Sequence, residues 1–397
     1  MNKNGSIFGG ALLIAGTSIG GGMLALPVLT SLGGFIPSLV IYVCCWFFMA
    51  CTGLLFLEIS LWMHKEANIV SMADRTLGLS GKVVAWVVYL FLFYCLTLAY
   101  IVGSGNMVVN VFSNTIPTWA GSIIFVVIFA PFVFAGARFV GKINVILMFG
   151  LAVSFLIFVW VGYAYVNPIN LKHKNWAMSL LALPVSFTSF AYQGIIPTLI
   201  HYMGNDAKKT RIAIIVGSFI PLVIYVIWQW LIMGIVPTYG PGGLAETLEK
   251  GQYAVEPLHQ FIQSPIIYVI GQYFAFFALL TSFFGVTLGL LDFLADGFGI
   301  KKSHANKFTL SLLVFIPPLV IACLYPHIFL KTLDFAGGFG CAILLGLLPI
   351  LMVWSGRYRL GLKSEYALPG GKLILLILSA FVFFELACEL YFKFLGK

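Results

Sequence analysis

The chain of 397 residues is 61% hydrophobic and only 9% charged, with a mean hydropathy of +1.04. Charged residues make up about 25% of an ordinary soluble domain, so a soluble globular fold is excluded and a polytopic membrane protein is implied. Seven cysteines (Cys44, Cys45, Cys51, Cys95, Cys323, Cys341 and Cys388) all fall in apolar segments without metal-ligand spacing, which reads as small buried hydrophobes and implies no disulfide framework.

A span of hydrocarbon needs about 20 apolar residues. That rule predicts eleven helices, at residues 6–32, 35–63, 83–112, 119–136, 140–166, 177–201, 211–236, 264–296, 306–324, 328–354 and 373–395. The first stretch is too long for the apolar region of a cleavable signal, and no A-x-A site closes it. With a cytoplasmic N-terminus, Lys172, Lys174, Lys250, Lys331, Lys393 and Lys397 lie outside and the other 16 of the 22 basic residues lie inside. The positive-inside rule selects that orientation. The net charge of +9 is then a topology signal, not a nucleic-acid footprint, and an odd number of spans puts the C-terminus outside.

The first span contains Gly16-Thr17-Ser18-Ile19-Gly20-Gly21-Gly22-Met23-Leu24-Ala25-Leu26-Pro27. Each interior glycine costs a helix roughly 1 kcal/mol, and freed backbone groups are tolerated in hydrocarbon only where protein or a watery cavity satisfies them. The run therefore predicts a helix broken at mid-membrane depth, with close helix–helix contact as the plainer alternative. In the sixth span Pro184 and Pro197 bracket a second interruption, Val185 to Ile196, that mixes aromatic rings, hydroxyls and an amide. The second break comes five helices after the first, an odd number, so the halves have inverted topology. Interrupted helices at matching places in two inverted halves point to the binding site of a secondary transporter. The predicted organisation is one all-α transporter domain: residues 6–166 and 177–354 as the repeats, and 373–395 as an added helix.

These residues resemble the hydroxy/aromatic amino acid permeases of the amino acid–polyamine–organocation superfamily. The glycine run matches their first-helix motif. Gln193-Gly194-Ile195-Ile196-Pro197 with Tyr202 agrees in the sixth span, as does Thr281 to Asp296 in the eighth. Gly22-Met23-Leu24-Ala25-Leu26-Pro27 is most similar to the tyrosine-specific members; Gly21 stands where Ala is usual. The resemblance implies the leucine-transporter fold, a bacterial cytoplasmic membrane, and uptake of an aromatic amino acid, tyrosine foremost, driven by the proton gradient. Tryptophan, serine or threonine remain alternative substrates, and sodium an alternative coupling ion. No cofactor, metal or obligate protein partner is implied, only substrate, proton and bilayer. An enzyme would need convergent catalytic groups that the sequence does not display.

For a zwitterionic substrate, the N–H groups around Thr17, Ser18, Gly20, Gly21 and Gly22 suit the carboxylate, since the outer half-helix begins there with its positive dipole end. Freed carbonyls near Phe187, Ser189 and Phe190 suit the ammonium. Phe187, Phe190 and Tyr192 are candidates for an aromatic wall, with Gln193, beside Gly194, and Asn106 or Asn110 as polar partners for a phenol. The two asparagines serve equally as interhelical hydrogen bonds. Folds of this kind place Gly16, Ile19, Ala278, Thr281 and Ser282 where sodium-driven relatives hold a cation. Lys142 is the alternative titratable group there, or a snorkelling lysine. Glu58 and Asp292 are candidate proton relays or pinned structural contacts; Asp334, Glu385 and Glu389 lie toward the outer face. Residues 238–263 form the longest loop, a vestibule lid or a plain connector.

Overall fold

The computed structural model describes residues 5–63, 67–112, 115–262, 264–298 and 304–395. Lys3, Lys65, Lys301, Lys302 and Lys397 of the basic set, and Gln263 at the end of the long loop, lie outside them. Among the described residues ten helices are long and apolar enough to cross a membrane, and Ile7–Ser18 with Gly21–Leu29, bent by 57°, makes an eleventh span.

The first break spans Ile19 and Gly20, both extended. Ile19 N–H closes the first half on Ala15 O (2.9 Å), and Met23 N–H opens the second on Gly20 O (3.0 Å). Gly20 and the two glycines that follow it each face a different helix. A Cβ on Gly20 would strike Ser282 of the eighth span; on Gly21 it would meet the Tyr100 ring of the third, and on Gly22 Ser189 of the sixth. The broken helix and the close contact are thus the same feature.

In the sixth span, Leu183–Ser189 ends at Phe190 and the chain resumes helically at Gln193–Ile195 and Ile196–Tyr202. Each half carries its proline in the first turn, where the missing N–H costs nothing. The seventh span, Ala207–Ile235, braces both breaks. Its Tyr225 hydroxyl lies 2.7 Å from Ser18 O and 2.8 Å from Ser189 O. One hydroxyl proton serves one carbonyl at a time, so the phenol bridges two interrupted helices. Trp228 Nε1 donates to Met23 O at 3.0 Å.

The third and tenth spans depart most from a plain hydropathy reading. The third starts at Ile69, because Asn68 and Ser71 form a reciprocal cap. Residues 69–77 bury Ile69, Met72, Ala73 and Thr76 and expose Ser71, Asp74 and Arg75, a short amphipathic helix before the kink at Gly78, whose φ of +74° favours glycine. The tenth, Phe329–Tyr358, widens between Ala336 and Leu347. There Gly337 lies so close to Pro184 O that a Cβ has no room, and such widened turns recur at functional sites.

The long loop is packed down. It forms helices Leu244–Glu249 and Leu258–Phe261, buries Tyr253, Val255 and Leu258, and donates Ala254 N–H to Leu24 O at 3.0 Å. Asn110 reaches it from the third span, Nδ2 to Glu256 Oε1 at 3.0 Å.

Candidate functional site

A cavity of about 650 Å³ lies between the first, third, fifth, sixth, eighth and tenth spans, within the usual range for small-molecule sites. It meets both breaks, through Gly16 to Ser18, Gly20 and Gly22 on one side and Thr188 and Ala191 to Ile195 on the other. It is sealed toward the long loop, where Met23, Leu24, Leu26 and Val28 are wholly buried. It opens toward the face that carries the N-terminus. There Leu12 and Leu13 line it at 48% and 40% exposure, and Ile69, Thr198 and Gly289 continue the wall.

At the start of Gly21–Leu29, Gly21 N–H donates to Ser282 Oγ at 3.1 Å and Met23 N–H is used in the turn. Gly22 is left as the cavity-lining donor of that first turn with no intrahelical partner. Across the cavity the acceptors lie later than the prolines suggest. Ser189 O already accepts from Tyr225, and Phe187 stands inside a helical turn. The carbonyls of Phe190 and Ala191 receive no donor among the described hydrogen bonds, and of the two residues Ala191 borders the cavity. A donor end and an acceptor end thus face one cavity, the arrangement a zwitterion requires.

Of the three rings the sequence proposes for the aromatic wall, Tyr192 lines the cavity and Phe187 and Phe190 do not. Phe187 is fully buried, stacked on Phe48 (centroids 5.1 Å) and packed on Phe381. Phe190 packs edge-on to Tyr225 and Tyr42; neither lines the cavity. The rings that do are Tyr192 and, from the third span, Tyr89, Phe93 and Tyr100. Tyr89 is sandwiched by Phe93 and Phe293, with centroids at 4.2 and 4.1 Å.

The polar candidates divide likewise. Gln193 lines the cavity, but its amide is committed: Nε2 donates to Met49 O (3.2 Å) and Thr52 Oγ1 (3.0 Å), and Oε1 accepts from Tyr192 N–H (2.9 Å). Gly194 borders the cavity, and a Cβ there would meet nothing. Asn106 is not part of the wall, and Asn110 holds the loop. Gly21 packs behind the wall and not on it.

Of the cation candidates, Gly16, Thr281 and Ser282 border the cavity, while Ile19 and Ala278 do not. Thr281 Oγ1 lies within bonding reach of Phe277 O (2.8 Å) and Ala278 O (3.2 Å) on its own helix. Ser282 Oγ takes the Gly21 N–H. Both hydroxyls are engaged in this conformation. Lys142 is exposed on the fifth span, Ala137–Gly162, and that helix shows the cavity Asn144 and Met148 instead. Two residues turn a helix by about 200°, so Lys142 faces the other way. Glu58 is a pinned contact: Arg357 holds it through two bonds (2.6 and 2.5 Å) and Leu368 N–H donates a third at 3.0 Å. Asp292 is exposed and off the cavity wall.

The tryptophan/tyrosine permease family matches residues 3–389 of this sequence. The chain belongs to that family. It is 34% identical to tyrosine-specific transport system 1 of Haemophilus influenzae, over 95% of this chain and 94% of that one. It is 31% identical to the tryptophan-specific transport protein of the same organism, over 94% and 93%. Among solved structures, MhsT in complex with L-phenylalanine aligns with a TM-score of 0.67 at 15% identity, covering 96% of this chain and 97% of that one. The fold is that of the leucine transporter, and the family is one of transport proteins, not enzymes.

Sequence reasoning passed over three features of this permease's cavity. Asn144 Oδ1 is buried at the wall with no hydrogen-bond partner among the described residues; a lone amide in an apolar helix is the signal that marks it. Tyr100 was hidden among many rings, and only its contact with Gly21 singles it out. Gly285 borders the cavity with open space where a side chain would stand.

Proposed function

We propose that this permease imports aromatic amino acids, L-tyrosine foremost, across a bacterial cytoplasmic membrane by alternating access coupled to protons. The carrying observation is one cavity bounded by both breaks, with the free Gly22 donor on one side and the Ala191 acceptor on the other. The substrate carboxylate rests at the positive end of Gly21–Leu29 and its ammonium against the sixth-span carbonyls. Its ring lies between Phe93 and Tyr100 beside Gly285. With the N-terminus cytoplasmic, as the basic residues favour, the cavity is open inward.

Counterflow of labelled tyrosine against all twenty amino acids in proteoliposomes tests the substrate. Exchange should be strongest with tyrosine and its aromatic neighbours. Exchange of serine without tyrosine, or a clear preference for tryptophan, would displace the assignment. Sodium is the second reading, because Thr281 and Ser282 place two hydroxyls beside the first break. Accumulation in sodium-free buffer under an imposed pH gradient supports proton coupling; accumulation on a sodium gradient alone supports the other ion.

A further inference from the structure

Away from the cavity, near the loop face, the tenth and eleventh spans enclose a group of charges that substrate binding does not use. Glu385 and Glu389 are one turn apart on the eleventh span, at 0% and 4% exposure. Lys393, one turn further, pairs with Glu389 and lies 3.0 Å from Asp334 Oδ2 of the tenth span. The ammonium also sits over the Phe335 ring, 3.4 Å from its centroid. Glu385 has no such partner: neither carboxyl oxygen makes a hydrogen bond among the described residues. The titratable and charged groups facing it are Glu389, Lys393 and Cys388 from its own helix, Asp334 and Cys341 from the tenth span, and Cys45 from the second. Three carboxyls therefore share one ammonium in apolar surroundings. Ionising all of them would leave uncompensated charge in hydrocarbon, at a cost of several kcal/mol per ion. A proton is the ligand that relieves it.

Beside the cluster is a small cavity of about 120 Å³, lined by Asp334, Glu389 and Lys393 and by Leu180, Leu181 and Pro184 of the sixth span. The same region is tied to the substrate cavity. Thr188, on its wall, donates to Leu333 O at 2.9 Å. Gly337 abuts Pro184 O, and Cys341, Leu344 and Leu345 of the widened turn reach the cavity. The outer half of the sixth span, which ends in the acceptor break, thus leans on the helix that carries Asp334.

We propose that the Glu385 carboxylate, set against Asp334, Glu389 and Lys393, is where the transported proton binds, and that its charge biases the tenth and sixth spans between their two arrangements. The step is the addition of one proton to a carboxylate oxygen from the loop side and its later release toward the face that carries the N-terminus, with no other bond changed. This rests on the proton-coupled reading above.

The test uses proteoliposomes of the full chain carrying wild type, Glu385→Gln or Glu385→Asp. Under a pH gradient, Glu385→Gln should lose tyrosine accumulation by about tenfold or more, within the span of ordinary site-to-site coupling. Its counterflow should persist, with a flattened pH profile. Glu385→Asp, which keeps a carboxyl, should accumulate. Accumulation by Glu385→Gln at the wild-type level overturns the assignment. So does joint loss of exchange and accumulation, which makes the residue structural, or identical behaviour of the two variants. If wild type itself accumulates on sodium and not on protons, the coupling reading fails, and that result is read without any variant.

Discussion

Gly20, Gly21 and Gly22 show how much a missing side chain can specify. Each lets a different helix approach, the eighth, the third and the sixth, at one point of the membrane. A substitution at Gly20 or Gly22 disturbs packing and the cavity wall together, so it cannot separate the two roles. Gly285 can, because a Cβ at that site meets nothing and projects from the cavity wall. Gly285→Val should leave expression and thermal stability unchanged while crowding the ring of a bound aromatic. Overfilling a packed site costs about 1–3 kcal/mol, or about 5- to 150-fold in affinity. Half-maximal counterflow for tyrosine should rise accordingly, with less effect on small substrates; an unchanged value would remove the ring from this part of the cavity.

At the scale of elements, the helices are tied by few but well-buried polar contacts. Glu58 fastens the second span to Arg357 of the tenth and to the backbone at Leu368. Removing one member of such a pair strands the other charge, at about 3–5 kcal/mol. Glu58→Ala should therefore lower the melting temperature in detergent sharply, and a melt like wild type would contradict the account. The long loop is held more lightly. Glu246 accepts from Lys250 Nζ (2.5 Å) and from Gly242 N–H (2.6 Å). The Lys250 contact and then the Gly242 bond hold its carboxyl below the usual carboxylate range. A depressed acid stabilises the fold above its unfolded pKa and loses that contribution as pH falls through the folded one. Amide exchange at residues 242–250 should therefore quicken, relative to the spans, only once pH drops below the ordinary range for glutamate. Loosening already near neutrality would exclude Glu246 as the cause.

For the whole molecule, the seal at one face and the opening at the other describe one of the two states that alternating access needs. Orientation is open to direct measurement. Glu249 in the long loop and Lys363 between the last two spans are both exposed. A membrane-impermeant thiol reagent should label Glu249→Cys on intact cells, and Lys363→Cys only after permeabilisation. The reverse pattern would invert the topology and make the cavity outward-open.

Sequence alone determined the eleven spans, because hydrocarbon offers the backbone no partner and only helices of sufficient apolar length satisfy it. It pointed to the two interruptions as well, since a glycine run weakens a helix and each proline removes a donor from its ladder. Even the extra turns before Gly78 were written in it, as the Asn68–Ser71 cap, a signal that hydropathy does not register. Only the tertiary structure decided which side of each helix meets the ligand. One residue turns a helix by about 100°, so Phe187 and Phe190 rotate into the core while Tyr100, far away in sequence, turns to the cavity. It also decided which backbone groups stay free, because the partners that occupy the others, the Tyr225 donor and the Ser282 acceptor, come from other spans. The glycines announce a break locally, and what the break presents depends on the helices packed against it.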